Sequence, residues 1–536
     1  MPQRSHPSKI AWWAAGLALF LLLCWRAVGT FGPPSDVNDV SFNSDSAILV
    51  LMANDDRPIT IFNFYYYGAS RWGAWAFLLA QFIHQSTGYH WTDKALTIAQ
   101  ILWVLAGALV FARLSRRETV VAGLVYLIAV CLHREARYLL FELSQLYGFQ
   151  TTALLLAWLG TRRVFDTCLE ATSTGALRRR LIWLSFTVLS SFLAVWSSVA
   201  SAAFLLGLVA VEGFLAYMVA PSNTYRRVLL PVSLTASGVI AATIAERLQK
   251  EVYHRYSARH YSYDYDTHFG LDSGYLVQNF GKQLDHIAGL SWWPLYVIPL
   301  VAALALMCGM AYAHLAKSVA LRDRLKAILA DDTTSLALCT LSIAVLNFVM
   351  AVVVDHVRHN DYDDRYLTLT SLFGPISGML TLVVLLKLAA QSWAVERYVR
   401  PVLCSAGVLL LVSAFPRPHY SFEYQLLQET ADILAQRAPN GVLLGGYWDT
   451  YVISALQRHG TMTPVPVEGW SFRTPWTPDS LKSASRVVVV FRRQTPRAQI
   501  APPLRLQQYG HTLTLVDPHW YENSAFTCAL YAKETG

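Results

Sequence analysis

Eleven apolar runs, most of them close to the ~20 residues a helix needs to cross a hydrocarbon core, recur along this chain and leave little freedom in what it folds into. They lie at roughly 10–29, 95–113, 118–133, 147–161, 181–197, 200–219, 228–246, 293–313, 335–355, 367–388 and 402–415. In lipid every backbone polar group needs an internal partner, so runs of this kind resolve as helices. Lys and Arg load alternate loops between them: Arg4 and Lys9; Arg113, Arg116 and Arg117; Arg162, Arg163, Arg178, Arg179 and Arg180; Arg226 and Arg227; Lys317, Arg322, Arg324 and Lys326; Arg397 and Arg400. The positive-inside pattern predicts an inner N-terminus and an outer C-terminus. It also accounts for the net charge of +8, so no nucleic-acid partner is expected. With 54% hydrophobic and 15% charged residues, the composition lies far from that of soluble domains. The expected class is a polytopic α-helical membrane protein of about eleven spans.

The first run, Ile10 to Val28, is long and carries no small-residue cleavage site, so it reads as a retained span. Gly68 to Ile83 is also apolar, yet counting it as a span would put Ser115–Glu118 outside. It is therefore expected to lie in the outer interface, anchored by Trp72 and Trp75. The seven cysteines form no CxxC pair or disulfide framework. The spans look nearly free of internal charge, which argues against an ion-coupled transporter or a flippase lining a polar path.

After about Pro416 the pattern changes. SFEYQLLQETADILAQR and WDTYVISALQRHG have helical periodicity, while GVLLGGY, SRVVVVFRR, HTLTLVDP and FTCALYAK read as strands. Such alternation predicts a small α/β domain over 416–536, outside the membrane, following a membrane domain over 1–415. Gly445-Gly446 is too short for a dinucleotide fingerprint, and no cofactor is expected there.

Chemistry-bearing residues gather in the outer loops. NSDSAILVLMANDDRPITIFNFYYYGASRWG, Asn43 to Gly73, places Asp45 at the start of an apolar helix, followed by an acidic pair, tyrosines and Arg71. One reading of Asp45 is an N-terminal cap, since an acidic side chain there satisfies free backbone N–H groups; the other is a functional carboxylate at the membrane edge. Asp55 and Asp56, at the far end of that helix, more naturally face solvent or pair with Arg57. His133–Phe149 contributes Glu135 and Glu142. Glu246–Trp293, rich in Tyr, His and Asp, reads as a long mobile loop, and Asp355–Leu369 is a charged knot before a span. Solvated loops with aromatic anchors would look the same one at a time; their shared side favours a site.

Three stretches, taken in order, resemble the GT-C superfamily of integral-membrane glycosyltransferases, in particular bacterial protein O-mannosyltransferases and the lipid A aminoarabinose transferase. They are SDSAILVLMA with FYYYGASRWGAWAFLLAQ, then DDRYLTLTSLFGPI, then GGYWDTYVISAL. The resemblance implies transfer of a sugar from a polyprenyl-phosphate carrier, held by the membrane, to a glycan, lipid or protein acceptor on the outer face. For a bacterial member that is the periplasmic side of the inner membrane. It implies Asp45 as catalytic base or, if a divalent metal takes part, its ligand. The family's second acidic residue falls here on Gln150 or Thr151, with Glu142 about two helical turns earlier; Glu142 is therefore the candidate second carboxylate. That departure leaves metal dependence open, and with it a non-catalytic glycan-assembly or transport role on the same scaffold.

Displacing a polyprenyl phosphate calls for a base, positive charge on the leaving phosphate and an apolar groove for the lipid. Arg365, beside Tyr366, suits the phosphate because a guanidinium fork matches two oxygens at once; its alternative is an interface anchor paired with Asp363 or Asp364. Arg71 and Tyr67, with His260, Tyr263 and His268 of the tyrosine-rich loop, complete the expected substrate-binding set.

Overall fold

The computed structural model describes residues 44–60, 75–115, 118–132, 139–143, 146–167, 174–219, 224–256, 269–270, 272–290, 292–355, 357, 364–390, 422–457, 462–467, 477–493 and 501–534. Its helices are α1 (Ser44–Ala53), α2 (Trp75–Thr87), α3 (Asp93–Leu114), α4 (Thr119–Leu132), α5 (Tyr147–Thr167), α6 (Thr174–Ser197), α7 (Ser201–Val219), α8 (Thr224–Tyr256), α9 (Ser273–Gly289), α10 (Pro294–Leu315), α11 (Val319–Leu329), α12 (Asp332–Val353) and α13 (Thr368–Ala390). Nine of the eleven expected spans fall on α3 to α8, α10, α12 and α13; those at 10–29 and 402–415 lie outside the described residues. Seven of these helices are long and apolar enough to cross a membrane, and the chain is a multi-pass membrane protein.

The bundle core forms where α3, α4, α5, α7, α12 and α13 meet, around Phe111, Tyr126, Trp158, Cys339 and Phe373. Small residues set how closely these helices approach: a Cβ on Gly378 of α13 would run into the backbone of Leu295 in α10. α2 starts at Trp75, and its 13 residues span about 20 Å, too short to cross. Phe77, Leu78 and Ala80 are buried while Leu79 and Phe82 face outward, which fits a helix lying at an interface.

Two expectations change. First, most of the supposed loop over 246–293 is helical: α8 runs on to Tyr256, and α9 fills 273–289. α9 is amphipathic with its polar side inward. Asn279 and Gln283 are buried, Val277 and Phe280 are exposed, and Asn279 Nδ2 donates to the Val352 carbonyl at 2.8 Å. Second, the spans are not free of charge. Arg162, expected as a loop cation, is part-buried in α5 and meets Glu212 within α7 at 2.5 Å and Asp332 at 3.2 Å. Glu212 leaves little mark in the sequence, because one carboxylate lowers the mean hydropathy of so apolar a run too little to break it.

Beyond the bundle lie α14 (Phe422–Arg437), β1 (Val442–Gly445), α15 (Tyr447–Ala455), β2 (Thr463–Pro466), α16 (Thr477–Ser483), β3 (Arg486–Arg492), β4 (Arg505–Gln508), β5 (His511–Glu522) and β6 (Phe526–Lys533). All four strand-like runs are strands; β2 and β4, four residues each, carry too little pattern to be seen in advance. The strands form one mixed sheet, ordered β2-β1-β3-β6-β5-β4, in which β1 pairs in parallel with β2 and β3 and the other pairs are antiparallel. The middle of β3 is apolar because both its faces are covered: Val487 and Val489 pack on one side, Val488 and Val490 on the other.

The second face does not close on its own helices alone. Leu443, Val488, Val490 and the α15 residues Tyr451 and Val452 share one apolar cluster with Ala47, Ile48, Leu49, Val50 and Met52 of α1. From Ser46 to Ala53 α1 is buried but for the half-buried Leu51, as a helix apolar on nearly every side must be. It forms the joint between the bundle and the sheet.

Candidate active site

Asp45 is the second residue of α1, in its N-terminal turn. The turn at the other end of α1 is tightly fixed. Asn54 Nδ2 donates to the Val50 and Trp91 carbonyls, and the Trp91 N–H returns a bond to Asn54 Oδ1 at 2.7 Å. Asp55 Oδ1 accepts from both the backbone N–H and Nε of Arg57, at 3.0 and 2.9 Å, so this carboxylate holds a turn, as its position at the helix end predicted. Asp56 meets His84 Nε2 at 3.0 Å in solvent.

Glu142 sits just past a short helical stretch and is only 4% exposed. Its segment is pinned by Gln100 of α3, whose Nε2 donates to the carbonyls of Leu140 (3.0 Å) and Glu142 (2.8 Å). Gly148, at the start of α5, permits this approach, since a Cβ there would strike the Leu140 carbonyl oxygen. Leu143 and Phe149 belong to the same apolar cluster as Ala47, Ile48, Leu49, Val50 and Met52 of α1. The two residues at the family's second acidic position are spent on structure: Gln150 Nε2 donates to Ser201 Oγ at 3.0 Å, and Thr151 Oγ1 to the Tyr147 carbonyl.

Arg365 and Tyr366 form part of a 3₁₀ turn, Asp364–Leu367, that leads into α13. The guanidinium stacks 5.1 Å from the centre of the Tyr366 ring and donates from Nη2 to its hydroxyl at 3.2 Å; a ring face holds a cation in place through its quadrupole. Asn347 of α12 fixes the turn, donating to the Tyr366 carbonyl at 3.1 Å and accepting from Thr370 N and Oγ1 at 2.8 and 2.9 Å. Sequence reasoning missed Asn347 and Gln100; the available signal was a lone amide inside an apolar span, which needs partners when buried. Tyr67, Arg71, His260, Tyr263 and His268 lie outside the described residues, and so do Glu135 and Asp363 with the rest of the knot at 358–363.

Among the described residues no three His, Cys, Asp or Glu side chains converge, and Glu142 is a single carboxylate. No step is therefore assigned to a metal.

At the carboxyl ends of β1 and β3 a cavity of about 370 Å³ is lined by Gly445, Gly446, Asp449 and Arg492. Open parallel sheets often bind ligands at such a switch point, with anions at the following helix N-terminus. Here Asp449, in the first turn of α15, already stands in that position and pairs with Arg492 Nε at 2.9 Å. Burial raises its pKa, and the Arg492 charge opposes the rise.

No protein-family model matches the chain, and no curated protein matches it. Among solved structures, ArnT from Cupriavidus metallidurans, crystallised bound to undecaprenyl phosphate, aligns over 98% of this chain and 98% of its own, with a TM-score of 0.52 and 12% identity. The chain has the GT-C fold. The archaeal oligosaccharyltransferase AglB from Archaeoglobus fulgidus, in complex with an inhibitory peptide and a dolichol-phosphate, is also similar, covering 90% of this chain and 70% of its own at a TM-score of 0.41 and 10% identity. The alignment with ArnT runs through bundle and sheet alike, so the GT-C likeness is one of whole architecture.

Proposed function

We propose that the chain is a bacterial inner-membrane glycosyltransferase of about eleven spans, moving a sugar from a polyprenyl-phosphate carrier to a glycan, lipid or protein acceptor on the periplasmic face. On this reading residues 416–536 form the periplasmic domain. The observation that carries it is the full-length likeness to a protein crystallised with undecaprenyl phosphate, together with Arg365 stacked on the Tyr366 ring at a helix mouth.

In the proposed reaction the Asp45 carboxylate takes the proton of an acceptor hydroxyl. The oxygen then attacks the anomeric carbon, forming the new glycosidic bond as the bond from that carbon to the phosphate oxygen breaks. The electron pair leaves with the polyprenyl phosphate, whose added charge Arg365 stabilises; Glu142 is the candidate second carboxylate beside the acceptor. One displacement inverts the anomeric centre. The lipid needs apolar walls, since each buried CH₂ contributes about 0.8 kcal/mol. A cleft of about 250 Å³ between α10, α11, α12 and α13 offers them. Thr381 on its wall stands about 24 Å along α13 from Arg365, a distance a long isoprenoid spans. α9, with its apolar side outward and Asn279 bonded to the Val352 carbonyl at the other end of α12, suits a flap at the Arg365 end instead.

The test is sugar transfer by the purified protein from polyprenyl-phosphate-linked sugars to envelope acceptors. Turnover with one donor is the expected result. No transfer across the common bacterial donors, from protein that is folded and binds the lipid carrier, would overturn the reading in favour of a non-catalytic role.

A further inference from the structure

One end of the bundle carries two kinds of cation. Arg162 and Lys387 turn inward and are answered, Arg162 by Glu212 and Asp332, Lys387 by Glu118 at 3.5 Å and Thr333 Oγ1 at 3.1 Å. Lys317, Arg322, Arg324 and Lys326 have no ion pair or side-chain hydrogen bond among the described residues. They lie on or just before α11, which also carries Asp323, and all but Lys326 are exposed. α11 is two-sided: Leu325 and Ile328 are half-buried and Leu329 is buried, while Arg322, Asp323 and Arg324 face out. Short connectors, 316–318 and 330–331, join α11 to the ends of α10 and α12, so it sits at one end of the bundle. Lys387, 3.9 Å from Asp331, marks the same end; Arg365 lies at the other, about 33 Å away along α13.

The surface beside these cations is apolar. α10 is the least enclosed of the seven long apolar helices, 11% buried against 22% to 72% for the others. Leu304, Met307 and Leu315 face outward along it, and exposed Val319 of α11 continues the face. In a bilayer such a face meets acyl chains, and here it ends where the cations begin. A helix that turns Lys and Arg outward at that boundary attracts negative lipid headgroups. The four cations outnumber the one carboxylate of α11, so a headgroup of net negative charge is favoured over a zwitterionic one, and the guanidinium forks of Arg322 and Arg324 match phosphate oxygens two at a time. We propose that α11 and Lys317 dock the headgroup of an anionic phospholipid whose chains lie along the outward face of α10. This site is at the opposite end of the bundle from Arg365, and it stands whether or not the transferase reading holds.

The test titrates the full chain in detergent with phosphatidylglycerol and with phosphatidylcholine of the same acyl chains, and follows bound lipid by native mass spectrometry. Phosphatidylglycerol is expected to bind about tenfold more tightly or better. The double variant Arg322→Gln, Arg324→Gln should weaken that binding about tenfold or more, while Arg226→Gln, Arg227→Gln, from another basic loop, should leave it within about twofold. Thermal unfolding checks that each variant folds. Lys317 has a φ of 52°, in the left-handed region that favours glycine. Lys317→Gly therefore removes a charge without straining the backbone; it should weaken binding about fivefold, and it decides alone should the α11 pair not fold. Equal affinity for the two lipids would overturn the proposal. So would a control pair that costs as much as the α11 pair, or displacement of the lipid by glycerol 3-phosphate, which carries the charge without the chains.

Discussion

The two polar clusters of this molecule are built in opposite ways. Around Arg162, every strong group is answered: Nε meets Glu212, Nη1 meets Asp332 and the Leu114 carbonyl, and Nη2 meets Ser335 Oγ at 2.5 Å, while Trp158 Nε1 adds a bond to Glu212 at 2.9 Å. Four helices, α3, α5, α7 and α12, are tied by one side chain. Where α1 meets the sheet, the turn is equally well bonded, but in and just past the facing α15 the buried Ser454 Oγ and Gln457 Nε2 have no hydrogen-bond partner among the described residues. A cluster whose charges are all paired explains itself as architecture; buried polar atoms without a partner among the described residues cost stability instead.

The comparison is broken most directly at Arg162. Arg162→Met leaves two part-buried carboxylates without their cation, a loss of up to about 3–5 kcal/mol, and thermal unfolding in detergent should show a clearly lowered midpoint. Near-parental stability would mean the cluster is wetter than its geometry implies. A smaller effect is expected for Gln100→Leu, which strips the Leu140 and Glu142 carbonyls of their shared donor at a cost of about 1–3 kcal/mol. It should also lower any transfer activity, because the segment carrying Glu142 is released; unchanged activity would remove that segment from the site. At the joint the sign reverses. Ser454→Ala deletes a hydroxyl with no partner among the described residues, so stability should hold or rise by up to about 1 kcal/mol, and a clear loss in unfolding midpoint would show that the hydroxyl is already satisfied.

The smallest effect is a pH dependence in the sheet. Glu522 accepts from His519 Nδ1 at 2.5 Å and from Arg493 at 2.8 Å, and these partners, His519 foremost, lower its pKa. A carboxylate lowered in the folded state contributes stability above its unfolded value, near 4.3, and loses it as pH falls through the folded value. His519→Ala should narrow that acid-side window in melts followed against pH. An identical pH profile would assign the depression to Arg493 alone.

The bundle was legible because its signal is collective: a span is about twenty residues long, and one misplaced boundary does not erase it. β1, β3, β5 and β6 were legible for the same reason, while β2 and β4 were not. The alternating-charge rule placed Arg162 near the right end of its helix but could not reveal that it turns inward, because pairing with Glu212 and Asp332 joins residues 50 and 170 positions away. α1 was recognised as an apolar helix opened by Asp45, yet its role as the joint depends on a face of α15 some 400 residues later. The long loop was misread because α9 hides its apolar side among Asn279, Gln283 and His286, and composition alone does not separate an inward-polar helix from a solvated loop. That Ser454 Oγ and Gln457 Nε2 are buried without a partner among the described residues gave no signal in sequence, since burial decides whether a Ser or Gln is spent.

The account stands or falls on α1, whose first turn is assigned the carboxylate that acts on the acceptor. The direct measurement pairs transfer from a polyprenyl-phosphate donor with thermal unfolding for the parent and Asp45→Asn. Asparagine keeps the size and most of the capping ability of aspartate, so stability should stay within about 1 kcal/mol, while transfer should fall by about 10²–10⁴. A folded Asp45→Asn protein that transfers at the parental rate would leave Asp45 a helix cap and contradict the assignment.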